Sequence, residues 1–147
     1  MNYYSLNNKT HQVSFQEAVI QGLAPDRGLY FPQTLTPLPA SFFETIETLS
    51  NEAIAFEAIK QFVGDEIPEV ELKKIIADTL CFDFPTVKVE ENIYSLELYH
   101  GPTMAFKDVG ARFMSRCLAY FNKDKAASKN TVLVATSGDT GGAVASG

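Results

Sequence analysis

Two stretches of this chain place reactive residue types where backbone geometry can act on them. The first is HGPTMAFKDVGARF, from His100 to Phe113, in which Lys107 falls at the start of an expected helix. A cation there sits at the wrong end of the helix dipole, which favours anions by about 0.3–1 kcal/mol. That field and an apolar surround both disfavour the ammonium, and so help present the neutral amine that attacks an aldehyde carbon. A Schiff-base lysine needs such a site. Spacing also permits a plain solvated lysine, with Asp108 supplying the negative charge a helix start prefers. The second stretch is ATSGDTGGA, from Ala135 to Ala143, which follows an apolar run and opens another helix. Its glycines let backbone N–H groups converge, and the helix start adds partial positive charge, so the turn suits a carboxylate or a phosphate. A tight βα turn capped by Ser or Thr is the structural alternative. Nucleotide loops match poorly: no lysine follows the glycines, and Thr140 stands where a dinucleotide fingerprint starting at Gly138 requires glycine.

The elements that must position these stretches can be read from periodicity and caps. Asn2 to Leu6 suits a short strand, and Ser14 with Glu17 forms a capping box for a helix running to Gln21 and stopped by Gly22. LAPDRGLYFPQTLTPLP is too rich in proline for regular structure, beyond an extended piece at Gly28 to Phe31. Ser41 with Glu44 repeats the capping box, and Phe42, Phe43, Ile46 and Leu49 follow at helical spacing. A further helix carries an apolar face from Ala53 to Val63 and ends at Gly64; Pro68 opens the next, with Val70, Leu72, Ile75, Ile76 and Leu80 inward. The first eighty residues are therefore expected to be chiefly helical. After CFDFP, alternation around Val87, Val89 and Ile93 to Leu98 predicts two strands joined by a turn at Glu91 and Asn92. Phe106, Val109, Phe113, Cys117 and Phe121 recur at helical spacing, followed by a loop, FNKDKAASKN. Thr131 to Thr136 reads as a strand buried on both faces, which predicts a parallel pair and an α/β unit.

Composition narrows the class. The chain has 147 residues, 46% hydrophobic and 20% charged, which is globular and not disordered. A formal net charge of −6 without any Lys/Arg stripe argues against nucleic acid as a partner. No apolar stretch approaches the roughly 18 residues of a membrane span, and MNYYSLNNKT lacks the features of a secretory signal. Cys81 and Cys117 are too few and too unpatterned for a disulfide scaffold or a zinc site, and no metal is expected. The expectation is a reduced, cytoplasmic protein.

HGPTMAFKD followed downstream by TSGDTGG resembles the threonine synthases, among the fold type II pyridoxal-phosphate enzymes, and GLAPDRGLYFP resembles that family's amino-terminal motif. Cysteine synthases and threonine dehydratases share the lysine and the glycine turn in looser form, without DRGLYFP or the HGPT lead. The resemblance implies an α/β fold class, with a helical amino-terminal domain at 1–84 and the first part of the cofactor-binding domain at 85–147. It implies a pyridoxal-phosphate-dependent carbon–oxygen lyase converting O-phospho-L-homoserine and water to L-threonine and phosphate. Lys107 would carry pyridoxal 5'-phosphate and then move protons at the substrate carbons. Phe106 would lie near the cofactor ring, where packing into the core is the alternative. Ser137, Gly138, Asp139, Thr140 and Gly141 would bind the amino acid's carboxylate, with Asp139 near the cofactor's phenolic oxygen in place of an asparagine used by many relatives. Thr103 and His100 would help position substrate or phosphate, though a capping threonine and a buried, hydrogen-bonded histidine explain them equally. Arg112 reads as a structural ion-pair partner. No phosphate cup or partner for the pyridine nitrogen is recognisable before Gly147, so the chain reads as a truncated amino-terminal fragment, inactive alone and open to self-association through uncovered apolar surface. Two other readings remain: a non-catalytic folding or interaction domain, and a paralogous lyase acting on another phosphorylated amino acid.

Overall fold

The computed structural model describes residues 1–123 and 131–147. The chain divides into two compact units, Met1–Ile76 and Ala77–Gly147.

In the first unit a three-stranded antiparallel sheet has β1 (Asn2–Ser5) between β2 (Gln12–Ser14) and β3 (Tyr30–Pro32). Tyr3 lies opposite Val13 on one side and Pro32 on the other. The helix α1 (Phe15–Gln21) starts directly from β2 on the expected capping box: Ser14 Oγ accepts from the Glu17 N–H, and the Glu17 carboxylate accepts from the Ser14 N–H. A remote carboxylate completes this cap, because Glu66 accepts from the N–H groups of Phe15 at 2.9 Å and Gln16 at 2.8 Å. Tyr3, Val13 and Phe15 thereby enter the core. The Tyr3 hydroxyl donates to the Phe62 carbonyl at 2.7 Å, and burial together with nearby Glu66 pushes the phenol up to about 12.

The proline-rich segment is anchored at DRG. Asp26 Oδ1 accepts from the buried Ser5 hydroxyl at 2.7 Å and from the Gly28 N–H at 2.9 Å, and these bonds hold its carboxyl below the usual range. Gly28 has to be glycine, since an added Cβ would lie 2.1 Å from Ser5 Oγ. The motif GLAPDRGLYFP thus serves the sheet of the first unit.

The remaining helices of this unit are α2 (Ala40–Thr45), which runs into a 3-10 turn at Ile46–Thr48, then α3 (Asn51–Val63) and α4 (Glu69–Thr79), the last crossing into the second unit. Two expectations fail here. Ser41 is no cap: α2 begins a residue earlier, with Pro39 extended at the N-cap, so Ser41 already has a helical carbonyl that accepts from Thr45 Oγ1. Phe43 and Val70 face outward, 58% and 66% exposed. The face of α4 is set by Leu72, Ile75, Ile76 and Thr79, all buried, and a residue two before Leu72 points roughly 200° away at 3.6 residues per turn. Helical residues predominate in this unit, with the three short strands of the sheet beside them.

In the second unit β4 (Thr86–Glu90) and β5 (Ile93–Leu96) form the expected hairpin, antiparallel, turning at Glu91–Asn92 with Asn92 at φ 62°. The helices α5 (Lys107–Asn122) and α6 (Asp139–Ser146) pack together, and Ala111 and Cys117 of α5 and Ala143 of α6 are buried. Thr131 to Thr136 has no regular secondary structure and joins no sheet among the described residues, and Leu133 is 91% exposed. The expected buried strand and parallel pair are therefore absent: such a strand forms only between neighbours that hydrogen-bond to it and helices that cover it, and no described segment takes either part. Residues 124–130 of the expected loop lie outside the described residues, while Phe121 and Asn122 belong to α5.

Candidate active site

Lys107 is the first residue of α5, as its motif implied. The chain reaches it through a tight turn. The Met104 N–H donates to the Gly101 carbonyl at 3.0 Å, and Met104 takes a left-handed φ of 54° and is 79% exposed. Phe106 stands at the N-cap position and is 60% exposed, so it packs into no core formed by the described residues. Lys107 Nζ lies 4.6 Å from the centroid of the Phe106 ring, close enough for the ring face to attract a cation.

Gly138 opens α6 at φ 144° and ψ −57°, a conformation for glycine alone. Its N–H donates to Thr136 Oγ1 at 3.1 Å, and the Gly142 N–H makes the first helical bond, to the Gly138 carbonyl at 2.8 Å. The N–H groups of Asp139, Thr140 and Gly141 fall in the first turn, where a helix provides no internal acceptor. Small residues keep this turn open: a Cβ at Gly138 would meet nothing within 4 Å.

The two motifs meet at Lys107. One cleft of about 460 Å³ is lined by Lys107 and Asp139 together with Tyr99, Thr103, Met104 and Phe106. A second, of about 480 Å³ and mostly apolar, brings Lys107 together with Thr140, Val144 and Met114. Ser137 and Gly141 belong to the same turn but line neither cleft.

The other expected residues fall differently. His100 is not buried: its ring stacks on Tyr99 at 4.8 Å and its Nε2 lies 2.7 Å from Glu97 Oε2, and hydrogen bonds from His100 and then Tyr99 hold the Glu97 carboxyl below its usual range. Thr103 does not cap the helix; its hydroxyl and N–H both donate to Asp108. Arg112 is structural, donating to the Asp78 carbonyl at 3.0 Å and to Cys81 Sγ at 3.2 Å, with a carbonyl in place of the expected carboxylate. Two residues were not expected at the site from sequence. Tyr99 lines the lysine cleft, and Asp108 is 1% exposed rather than a solvated helix-start charge. The spacing Gly101, Thr103, Asp108 is the signal that could have flagged the second. No metal-binding cluster occurs among the described residues, and no described helix is long and apolar enough to cross a membrane.

Comparison with known proteins accounts for this arrangement. The solved structure of threonine synthase from Escherichia coli superposes with a TM-score of 0.91 at 40% identity, over 99% of this chain and 33% of that one. A pyridoxal-phosphate-bound threonine synthase from Brucella melitensis gives 0.89 at 33% identity, over 99% and 32%. The fold is thus the α/β fold of the type II pyridoxal-phosphate enzymes. The family model for the threonine synthase N terminus matches residues 2–80, and the chain belongs to the threonine synthase family. Curated threonine synthases from Haemophilus influenzae and Saccharomyces cerevisiae are 43% and 40% identical, covering 99% and 89% of this chain. The chain spans about a third of the length of these relatives, 33% and 29%.

Proposed function

We propose that this chain supplies the cofactor lysine and the substrate-carboxylate turn of a threonine synthase, which converts O-phospho-L-homoserine and water to L-threonine and phosphate. The observation that carries this reading is the meeting of both motifs at Lys107, which shares one cleft with Asp139 and another with Thr140. The residues present fit pyridoxal phosphate: a primary amine in an open cleft, an exposed aromatic ring beside it, and a glycine turn whose first N–H groups have no helical acceptor.

When bound, pyridoxal phosphate supplies an electron sink for negative charge at the substrate's Cα and Cβ. Lys107 holds the cofactor and, once its amine is free, takes and returns protons at the substrate carbons. Phe106 bounds the cleft beside the amine and limits water around it. The N–H groups from Asp139 to Gly141 point the positive end of α6 at the substrate carboxylate, and Ser137 flanks them. Gly138 gives the turn its shape, and Asp139, which lines the Lys107 cleft, is suited to the cofactor's phenolic oxygen. Thr103 and His100 act by shaping the approach to Lys107, through Asp108 and Glu97 respectively.

Phosphate release from O-phospho-L-homoserine by the full-length polypeptide tests the reading. Turnover of roughly 1 per second or more, abolished in Lys107→Ala, is expected. Undiminished turnover in Lys107→Ala would overturn it.

A further inference from the structure

Asp108 is the least solvated charged group of the second unit's described residues, at 1% exposure, and it is next to Lys107. Its carboxylate reaches back across the turn. Oδ2 accepts from the Thr103 N–H at 2.9 Å, and Oδ1 accepts from the Thr103 hydroxyl at 2.5 Å. Its own N–H donates to the Ala105 carbonyl at 3.0 Å. Gly101 closes against the same carboxylate so tightly that a Cβ there would lie 2.4 Å from Oδ2 and 2.9 Å from Phe82 Cζ. A dipole-favoured anion at a helix start needs neither burial nor donors from five residues upstream. Between the two ends of this clasp lie Met104, Ala105, Phe106 and Lys107, and all four line the cleft shared with Asp139, as does Thr103 itself. The clasp therefore shapes one wall of that cleft. It also holds Met104 in a left-handed conformation, which non-glycine residues keep only where the surroundings over-determine it.

We infer that Asp108 is the positioning residue for Lys107: its buried carboxylate ties Gly101 to Phe106 into the one turn that delivers the amine to the cleft. The inference rests on Lys107 being the cofactor lysine. In the full-length protein, Asp108→Asn keeps the size of the side chain but leaves one oxygen for the two donors of Thr103, and Asp108→Ala removes both. If the alanine variant does not fold, the asparagine variant decides.

For Asp108→Asn the expected results are native far-ultraviolet circular dichroism and faster hydrogen exchange at the Thr103 amide in the cofactor-free protein. Visible circular dichroism of the bound cofactor should fall by half or more. A drop in kcat of about 100-fold, as expected for reacting groups misplaced by about 1 Å, should come with little change in KM. A lower melting temperature with visible dichroism and kcat kept would make Asp108 a structural residue and overturn the inference alone. Wild-type protein that retains no cofactor on Lys107 after borohydride reduction would overturn the underlying reading, and this inference with it.

Discussion

Replacing Gly138 by alanine tests whether the turn that opens α6 depends on backbone conformation. At φ 144° and ψ −57° an L-residue is strained whatever the space around it, and here the space is open, since a Cβ would meet nothing within 4 Å. The whole penalty is therefore torsional, about 1–3 kcal/mol for a residue held in such a region. Gly142 is the internal control. It lies within α6, its added Cβ also meets nothing, and its φ is ordinary, so alanine there should stabilise the helix by about 0.8–1 kcal/mol. The same chemical change four residues apart should have opposite signs. Hydrogen exchange of the α6 amides in the full-length protein reads local opening directly. Gly138→Ala should speed exchange by about 5- to 150-fold, and Gly142→Ala should slow it by about 4- to 5-fold, at 1.4 kcal/mol per factor of ten. Substrate affinity should fall in Gly138→Ala more than cofactor affinity. Exchange unchanged or slowed in Gly138→Ala would refute the reasoning.

The other predictions concern the fold around the site. Glu66→Ala removes both acceptors at the start of α1 and should cost about 2 kcal/mol or more, with Glu66→Gln milder; urea unfolding followed by helical circular dichroism checks this, and a loss under about 0.5 kcal/mol would contradict it. Cys117 is fully buried with its thiol pushed up to about 12, so iodoacetamide at neutral pH should modify the exposed Cys81 first and reach Cys117 only after denaturation. Equal rates in the native protein would show that the packing around Cys117 opens.

Features set by a few neighbouring residues were legible in the sequence, and features that depend on distant ones were not. Ser14 with Glu17 forms its capping box because both partners lie within one turn. Ser41 with Glu44 has the same spacing and fails, because the helix starts at Ala40 after an extended Pro39 and leaves Ser41 inside it. The Glu66 cap on α1 comes from about fifty residues away and has no local signature. Thr131 to Thr136 has the composition of a buried strand, yet pairing needs a partner strand, and among the described residues none lies beside it. At the candidate site, the places of Lys107 and Gly138 at helix starts were legible because each is set within its own motif. Asp108 was read as a helix-start charge because its role depends on the left-handed turn at Met104, which brings Thr103 back to it.

The central claim is that Lys107, and no other lysine, holds the cofactor. Borohydride reduction of the full-length protein with pyridoxal phosphate, followed by peptide mapping, tests it most directly. The account predicts one pyridoxyl group, on Lys107. Labelling at Lys9, Lys60 or Lys123 in its place, or no stable label in a folded protein that binds pyridoxal phosphate, would contradict it.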